Sequence, residues 1–189
     1  NKKKIFNIHL IETDFIDTII RNYIKEHMKN CFIVKYKYKN ININLKYYTK
    51  IEEASCNIKI LLKTIIRRII FMMDITNIYK NINVTIYNTP FKKSLPCKNC
   101  GKQLSSININ SGLSYSNNII IYRIEELLKV LIHEVIHILD IDVKYENMKD
   151  KKKLLNKLCI NDLLINESYV ETWANIINIY LTLYDRNKV

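Results

Sequence analysis

Between Val130 and Leu139 the chain is apolar at Val130, Leu131, Ile132, Val135, Ile136, Ile138 and Leu139, on nearly every side of a helix drawn through it. A helix of that kind has to be buried. Its polar exceptions are His133, Glu134 and His137, and a buried helix cannot leave two imidazoles and a carboxylate without partners. Residues four apart lie one above the other on one helical face, so His133 and His137 aim at a common point, about 6 Å apart along the axis. Glu134 leaves the helix about 100° round from His133, within reach of a water held at that point and too far round to be an obvious ligand. His-Glu-x-x-His in this setting supplies two metal ligands and a base, and core histidines satisfied by their neighbours are the competing reading. Histidine is scarce in the chain, which has only His9, His27, His133 and His137, so the pairing is hard to attribute to composition.

With 189 residues, 48% of them hydrophobic, the chain is long enough for one compact domain with a real core. Residues 1–104 read as an N-terminal helix and strand part, and residues 105–184 as the core that carries the motif. No apolar run reaches the length of a membrane span, and the Lys-rich start lacks the apolar stretch and cleavage site of a secretory signal. A soluble cytoplasmic protein with no membrane partner is the expectation. The net charge of +12 invites polyanion binding. However, Ile, Asn, Lys and Tyr dominate while Gly and Pro are two each, a pattern that resembles proteins of AT-rich genomes such as those of giant viruses. Lysine abundance of that origin says little about function. The lysines are also dispersed, at Lys2 to Lys4, Lys35 to Lys39 and Lys149 to Lys153, with no arginine-rich recognition segment. Nucleic acid is therefore not the expected partner.

An odd cysteine count, Cys31, Cys56, Cys97, Cys100 and Cys159, points to reduced thiols. Cys97 and Cys100 have the spacing of half a zinc ribbon whose other half is missing, so a loop carrying two thiols is expected there.

Along the chain, residues 10–29 carry apolar positions at helical spacing. Cys31 to Tyr38 and Ile41 to Thr49 read as two antiparallel strands turning near Lys39-Asn40, and Ile51 to Met73 as one largely buried helix. Asn83 to Tyr87 is a short strand, followed by a long loop through Pro90 and Pro96 to Gly101. Ile107 to Tyr115 and Asn118 to Tyr122 are two further strands, with the histidine helix entered at Arg123 or Ile124. The charged segment from Asp140 to Leu158 reads as an exposed connection with one helical turn or more around Leu154 to Leu158. A last helix capped at Asn161 or Asp162 runs to about Tyr184. The expected class is α+β, a small mixed or antiparallel sheet packed on a buried helix, with further helices around it.

A catalytic zinc ion generally has three protein ligands and one open position. No histidine follows His137, so a third ligand comes from a carboxylate, a cysteine, or His9 or His27. The last helix supplies a candidate in Glu167, which falls on the apolar stripe of Leu163, Val170, Ala174, Ile177 and Leu181, with Glu171 stacked one turn on. Pairing of both glutamates with surface lysines is the alternative. His133-Glu134-Val135-Ile136-His137, followed on a later helix by Asn166-Glu167-Ser168-Tyr169-Val170-Glu171, resembles the gluzincin class of zinc metallopeptidases over roughly residues 105 to 180. The resemblance implies a zincin-like fold with Zn2+ held by His133, His137 and Glu167. It implies that Asn166 and Glu171 hydrogen-bond the ligand histidines from behind. Asp140 competes for that role because it shares their helical face. The segment between the two motifs, residues 138 to 166, is longer than in compact members, which keeps Glu171 in contention as third ligand.

The same resemblance implies hydrolysis of a peptide or protein substrate, with Glu134 as general base toward water and then as proton donor to the leaving amine. The strand pair from Asn110 to Tyr122 would hold an extended substrate by backbone pairing. A zinc-binding module that cleaves nothing, and a basic nucleic-acid-binding protein, are the other classes compatible with the chain.

Overall fold

A computed structural model describes residues 15–51, 56–94, 106–142, 148–159 and 164–186. His9, Leu163, the Cys97 and Cys100 pair, and the caps Asn161 and Asp162 lie outside the described residues.

Helix α1 (Thr18–His27) starts where the Asp17 carboxylate accepts from Ile19 N at 2.7 Å, and it buries Ile20 and Ile24. Strands β1 (Asn30–Tyr38) and β2 (Ile41–Thr49) form the expected antiparallel hairpin, closing at Tyr38 opposite Ile41. Lys39 makes that turn in the left-handed region, φ 50°. Helix α2 (Cys56–Thr76) then crosses over, so that β3 (Ile82–Tyr87) runs parallel to β2. A one-turn helix α3 (Ser106–Ile109) precedes β4 (Gly112–Tyr115) and β5 (Asn118–Ile121), which pair antiparallel, while β5 runs parallel to β3. The order is β1-β2-β3-β5-β4, a mixed sheet with β4 at one edge. Helices α4 (Leu127–Ile138), α5 (Met148–Leu158) and α6 (Ile165–Arg186) complete the chain.

Alternation along the central strands divides the core in two. Ile43, Leu45, Val84, Ile86, Ile119 and Ile121 join the apolar faces of α2, α4 and α6, whereas Tyr48, Tyr87, Ile120 and Tyr122 meet Ile16, Ile20 and Ile24. Helix α4 buries Leu127, Val130, Leu131, Ile132, Val135, Ile136 and Ile138 as well as Glu134. Fully buried aliphatic side chains contribute about 1.5–3 kcal/mol each, so α4 is anchored on almost every side. Helix α6 is held by a narrower stripe, Val170, Ala174 and Leu181. It is also held by buried Arg68 of α2, which donates to Asn178 Oδ1 at 2.7 Å and Thr182 Oγ1 at 3.3 Å and stands 3.8 Å from Asp185.

Three boundaries differ from the sequence expectation. Ser106–Ile109 is helical where Ile-Asn-Ile-Asn alternation suggested a strand, and the strand begins only at Gly112. Asn108 is bound into the tertiary structure there, its Nδ2 donating to Ser94 O at 2.8 Å. The histidine helix starts at Leu127, because Arg123 N and Tyr122 N both turn back to Ser111 O. The connection after Asp140 holds an eleven-residue helix, α5, which ends at Leu158 as expected but begins at Met148, earlier than Leu154. No helix among the described residues is long and apolar enough to cross a membrane.

Candidate metal centre

His133 and His137 stand one turn apart on α4, and their Nε2 atoms are 3.3 Å from each other. Glu167 comes from the first turn of α6 and completes a triangle of residues, one carboxylate oxygen facing each ring, with Oε2 3.4 Å from His133 Nε2 and Oε1 3.5 Å from His137 Nε2. Ala174, fully buried between the helices, leaves α6 close to α4.

The outer nitrogens of both rings are committed. His133 Nδ1 is 3.2 Å from Glu171 Oε2, and His137 Nδ1 is 3.1 Å from Asp142 Oδ2. An ionised carboxylate only accepts, and the Nδ1 contacts are shorter than those from Nε2 to Glu167, so the one proton of each neutral ring belongs on Nδ1 and Nε2 presents a lone pair inward. Two imidazole lone pairs and a carboxylate then face one point with no donor among them. A shared proton relieves one pair of that triangle; a cation relieves all three. Tetrahedral ligands at about 2.0–2.2 Å stand about 3.3–3.6 Å apart, and the Nε2–Nε2 separation of 3.3 Å matches that spacing, while each Glu167 oxygen faces a different ring, at 3.4 and 3.5 Å. The residues therefore fit a metal ion that takes nitrogen and oxygen ligands, and His133, His137 and Glu167 are the set of donors able to hold it among the described residues.

The local field agrees. Burial alone pulls the His133 pKa down, yet Glu171, Glu134 and Glu167 outweigh it and leave the ring above its ordinary value. Glu171 falls to about 2, first through its hydrogen bond to His133 and then through Lys129 Nζ, 2.6 Å from Oε1, against the opposing effect of burial. Burial raises the Glu134 carboxyl, while Ser114 Oγ, donating to Oε2 at 2.7 Å, works the other way.

The site is open on one side. His133 and His137 are 18 and 21% exposed, but Glu167 is 48% exposed. A cleft of about 290 Å³ leads past Lys93, Asn110, Gly112 and Lys129 to His133 and Glu134. Gly112 sets its wall, since a Cβ there would lie 2.8 Å from Val130 Cγ1 and 3.0 Å from Ile120 O. Only glycine lets β4 lie this close to α4.

Sequence reasoning placed His133, Glu134, His137, Glu167 and Glu171 at one locus, and the fold brings them together, with Glu171 behind His133 rather than at the inner point. His27 is not among them: it lies on α1, across the sheet, stacked on Tyr23 with ring centroids 4.4 Å apart. Asp140 corrects the expectation that it backs a histidine. It ends α4 in the left-handed region, φ 58°, and binds Lys80 Nζ at 2.8 Å, while the same ammonium donates to Ile138 O at 2.7 Å. Asp142 has the place behind His137. Asn166 reaches the histidine only through it, donating to Asp142 Oδ2 at 3.2 Å. Three residues had gone unread: Asp142, Ser114 and Lys129. Lys129 was signalled, since it shares the His133 and His137 face one turn earlier on an apolar helix. Ser114 was not signalled, since the stretch from Ile107 to Tyr115 also carries Asn108, Asn110 and Ser111. Nothing local marked Asp142. No family model, curated protein or solved structure matches the chain.

Proposed function

We propose that this chain is a zinc-dependent peptidase of the gluzincin type, with a zincin-like fold and a peptide or protein substrate. The observation that carries the reading is the convergence of three acceptor side chains, His133, His137 and Glu167, with the two Nε2 atoms 3.3 Å apart and each 3.4–3.5 Å from its own oxygen of Glu167, and a buried glutamate beside them. Zinc in such a donor set supplies a Lewis acid that brings the pKa of water toward about 7 and polarises a carbonyl.

The chain's own groups do the rest. Ser114 fixes one oxygen of Glu134, so the carboxylate is oriented before substrate arrives. Glu134 takes the proton from the attacking water and passes it to the leaving amine. Glu171 and Asp142 hold the two rings in the tautomer that points Nε2 inward, as histidine ligands require. Strand β4 is the sheet edge beside α4, so its outer main chain is positioned to pair with an extended peptide lying along the cleft.

Glu134→Gln keeps the shape of the side chain and removes the base. Assayed on a mixed peptide library, the wild type is expected to cleave and Glu134→Gln to lose at least about a hundredfold in rate with zinc content unchanged. Undiminished cleavage by Glu134→Gln removes Glu134 from the mechanism. Zinc binding with no cleavage of any peptide by the wild type leaves a metal-binding module without the enzyme.

A further inference from the structure

The cleft beside the metal centre has two ends, and the chemistry occupies only one of them. Along β4, Ser114 meets Glu134 and Gly112 abuts Val130, so the residues before Gly112 lie toward the start of α4. Ile109 and Ser111 line that far end together with Lys129, one turn ahead of His133, and Lys93, which is bonded to Glu126 at the N-cap of α4.

The carboxylates of this end are engaged. Glu126 stands between two ammoniums: Oε2 accepts from Lys93 Nζ, and Oε1 is 3.6 Å from Lys129 Nζ. Glu171 accepts from Lys129 Nζ on Oε1 at 2.6 Å and faces His133 Nδ1 with Oε2. The donors are in surplus. Each ammonium has three N–H groups, and Lys93 Nζ meets one carboxylate while Lys129 Nζ meets two, which leaves N–H groups over on both. Ser111 is 4% exposed, and its hydroxyl has no hydrogen-bond partner among the described residues.

A pocket whose spare polar groups donate takes a ligand that accepts. A carboxylate meets that requirement better than an amide, because it has two oxygens and a charge that two ammoniums favour. Lys129 is 11% exposed, so water and salt screen a charge there only weakly. Val130 and Ile109 give the same end apolar surface, against which the methylene stem of an acidic side chain can be buried.

Resting on the peptidase reading, we infer that this end of the cleft is a subsite for a substrate carboxylate, held by Lys93 and Lys129 with Ser111 beside them. Lys129 is one helical turn from His133, about 6 Å, so the carboxylate belongs to a residue within about two positions of the cleaved bond. An Asp or Glu side chain and a free C terminus supply the same chemistry. Lys93 is the residue that tests it, since Lys129 also holds Glu171 behind His133.

Glu134→Gln loaded with zinc gives a readout that needs no turnover. Short fluorescent alanine peptides carrying a single Glu, Gln or Lys at each position in turn, with free or amidated C termini, are titrated against it by anisotropy. At one position Glu should bind about tenfold or more tighter than Gln; if the terminal carboxylate is the group held, the free terminus should exceed the amide by as much. Adding Lys93→Met should bring that ratio close to one. Adding Ser111→Ala should lower the ratio without lowering the thermal midpoint, because it removes a buried hydroxyl that leaves no partner behind. Carboxylate and amide bound alike throughout, Lys bound in preference to Glu, or no peptide bound would each overturn the inference. So would an acid preference that survives Lys93→Met, which would put the carboxylate on the metal itself. Acid-selective binding with no cleavage by the wild type would remove the peptidase reading and leave the subsite standing.

Discussion

The two helices that build the centre are held in opposite ways. Helix α4 is buried on nearly all sides and carries two histidines whose outer nitrogens each have a carboxylate. Helix α6 rests on a stripe of three buried residues and the Arg68 contacts, and offers its ligand, Glu167, half in solvent. The difference separates what the core guarantees from what must be added. Two of the proposed ligands are placed by the core itself, and the third by the docking of α6 on its narrower stripe.

Substitutions on each side should divide accordingly. Leu131→Ala empties a fully buried site on α4 and should cost about 2–5 kcal/mol in denaturant unfolding, with the histidine pair lost along with the fold. Arg68→Ala should cost less, about 1–3 kcal/mol, because Asp185 is partly exposed and can be solvated when its partner is gone. Its signature would be local, faster amide exchange in α6 than in α4 and a weaker metal site. If Arg68→Ala loosened both helices equally, the distinction between them would be lost.

Behind the rings, Glu171→Ala should lower zinc affinity by about 10–100-fold without unfolding, as measured by competition with a chromophoric chelator. Asp142→Ala should act in the same direction through His137, with an effect toward the lower end of that range. Asp140→Gly should be the mildest change. The left-handed backbone suits glycine, and the exposed Lys80 pair contributes about 0–1 kcal/mol, so metal affinity should be unaffected. A loss of affinity in Asp140→Gly as large as that in Asp142→Ala would restore Asp140 to the site.

What could be read from the chain follows the same division. The run around His133 was legible because burial on every side is written in consecutive residues, and the β1–β2 hairpin because alternation through Tyr36, Tyr38, Ile41 and Ile43 is a local property. Glu167 and Glu171 were legible as a pair on one helix face, but their separate roles depend on how α6 meets α4. Asp142 was illegible for a physical reason: it returns to His137 because the backbone reverses at Asp140, in the left-handed region that ends α4. The Ile-Asn-Ile-Asn stretch misled because alternation at four residues fits a strand as well as a turn of helix, and a tertiary bond at Asn108 decides between them.

The most direct test is the metal content of purified wild type, Glu167→Ala and Glu171→Ala, measured side by side by atomic emission after dialysis against zinc and then metal-free buffer. The geometry predicts one zinc per chain in the wild type, none retained in Glu167→Ala, and zinc held more weakly in Glu171→Ala. No zinc in the wild type, or full retention in Glu167→Ala, would contradict the centre and return His133 and His137 to the role of core histidines.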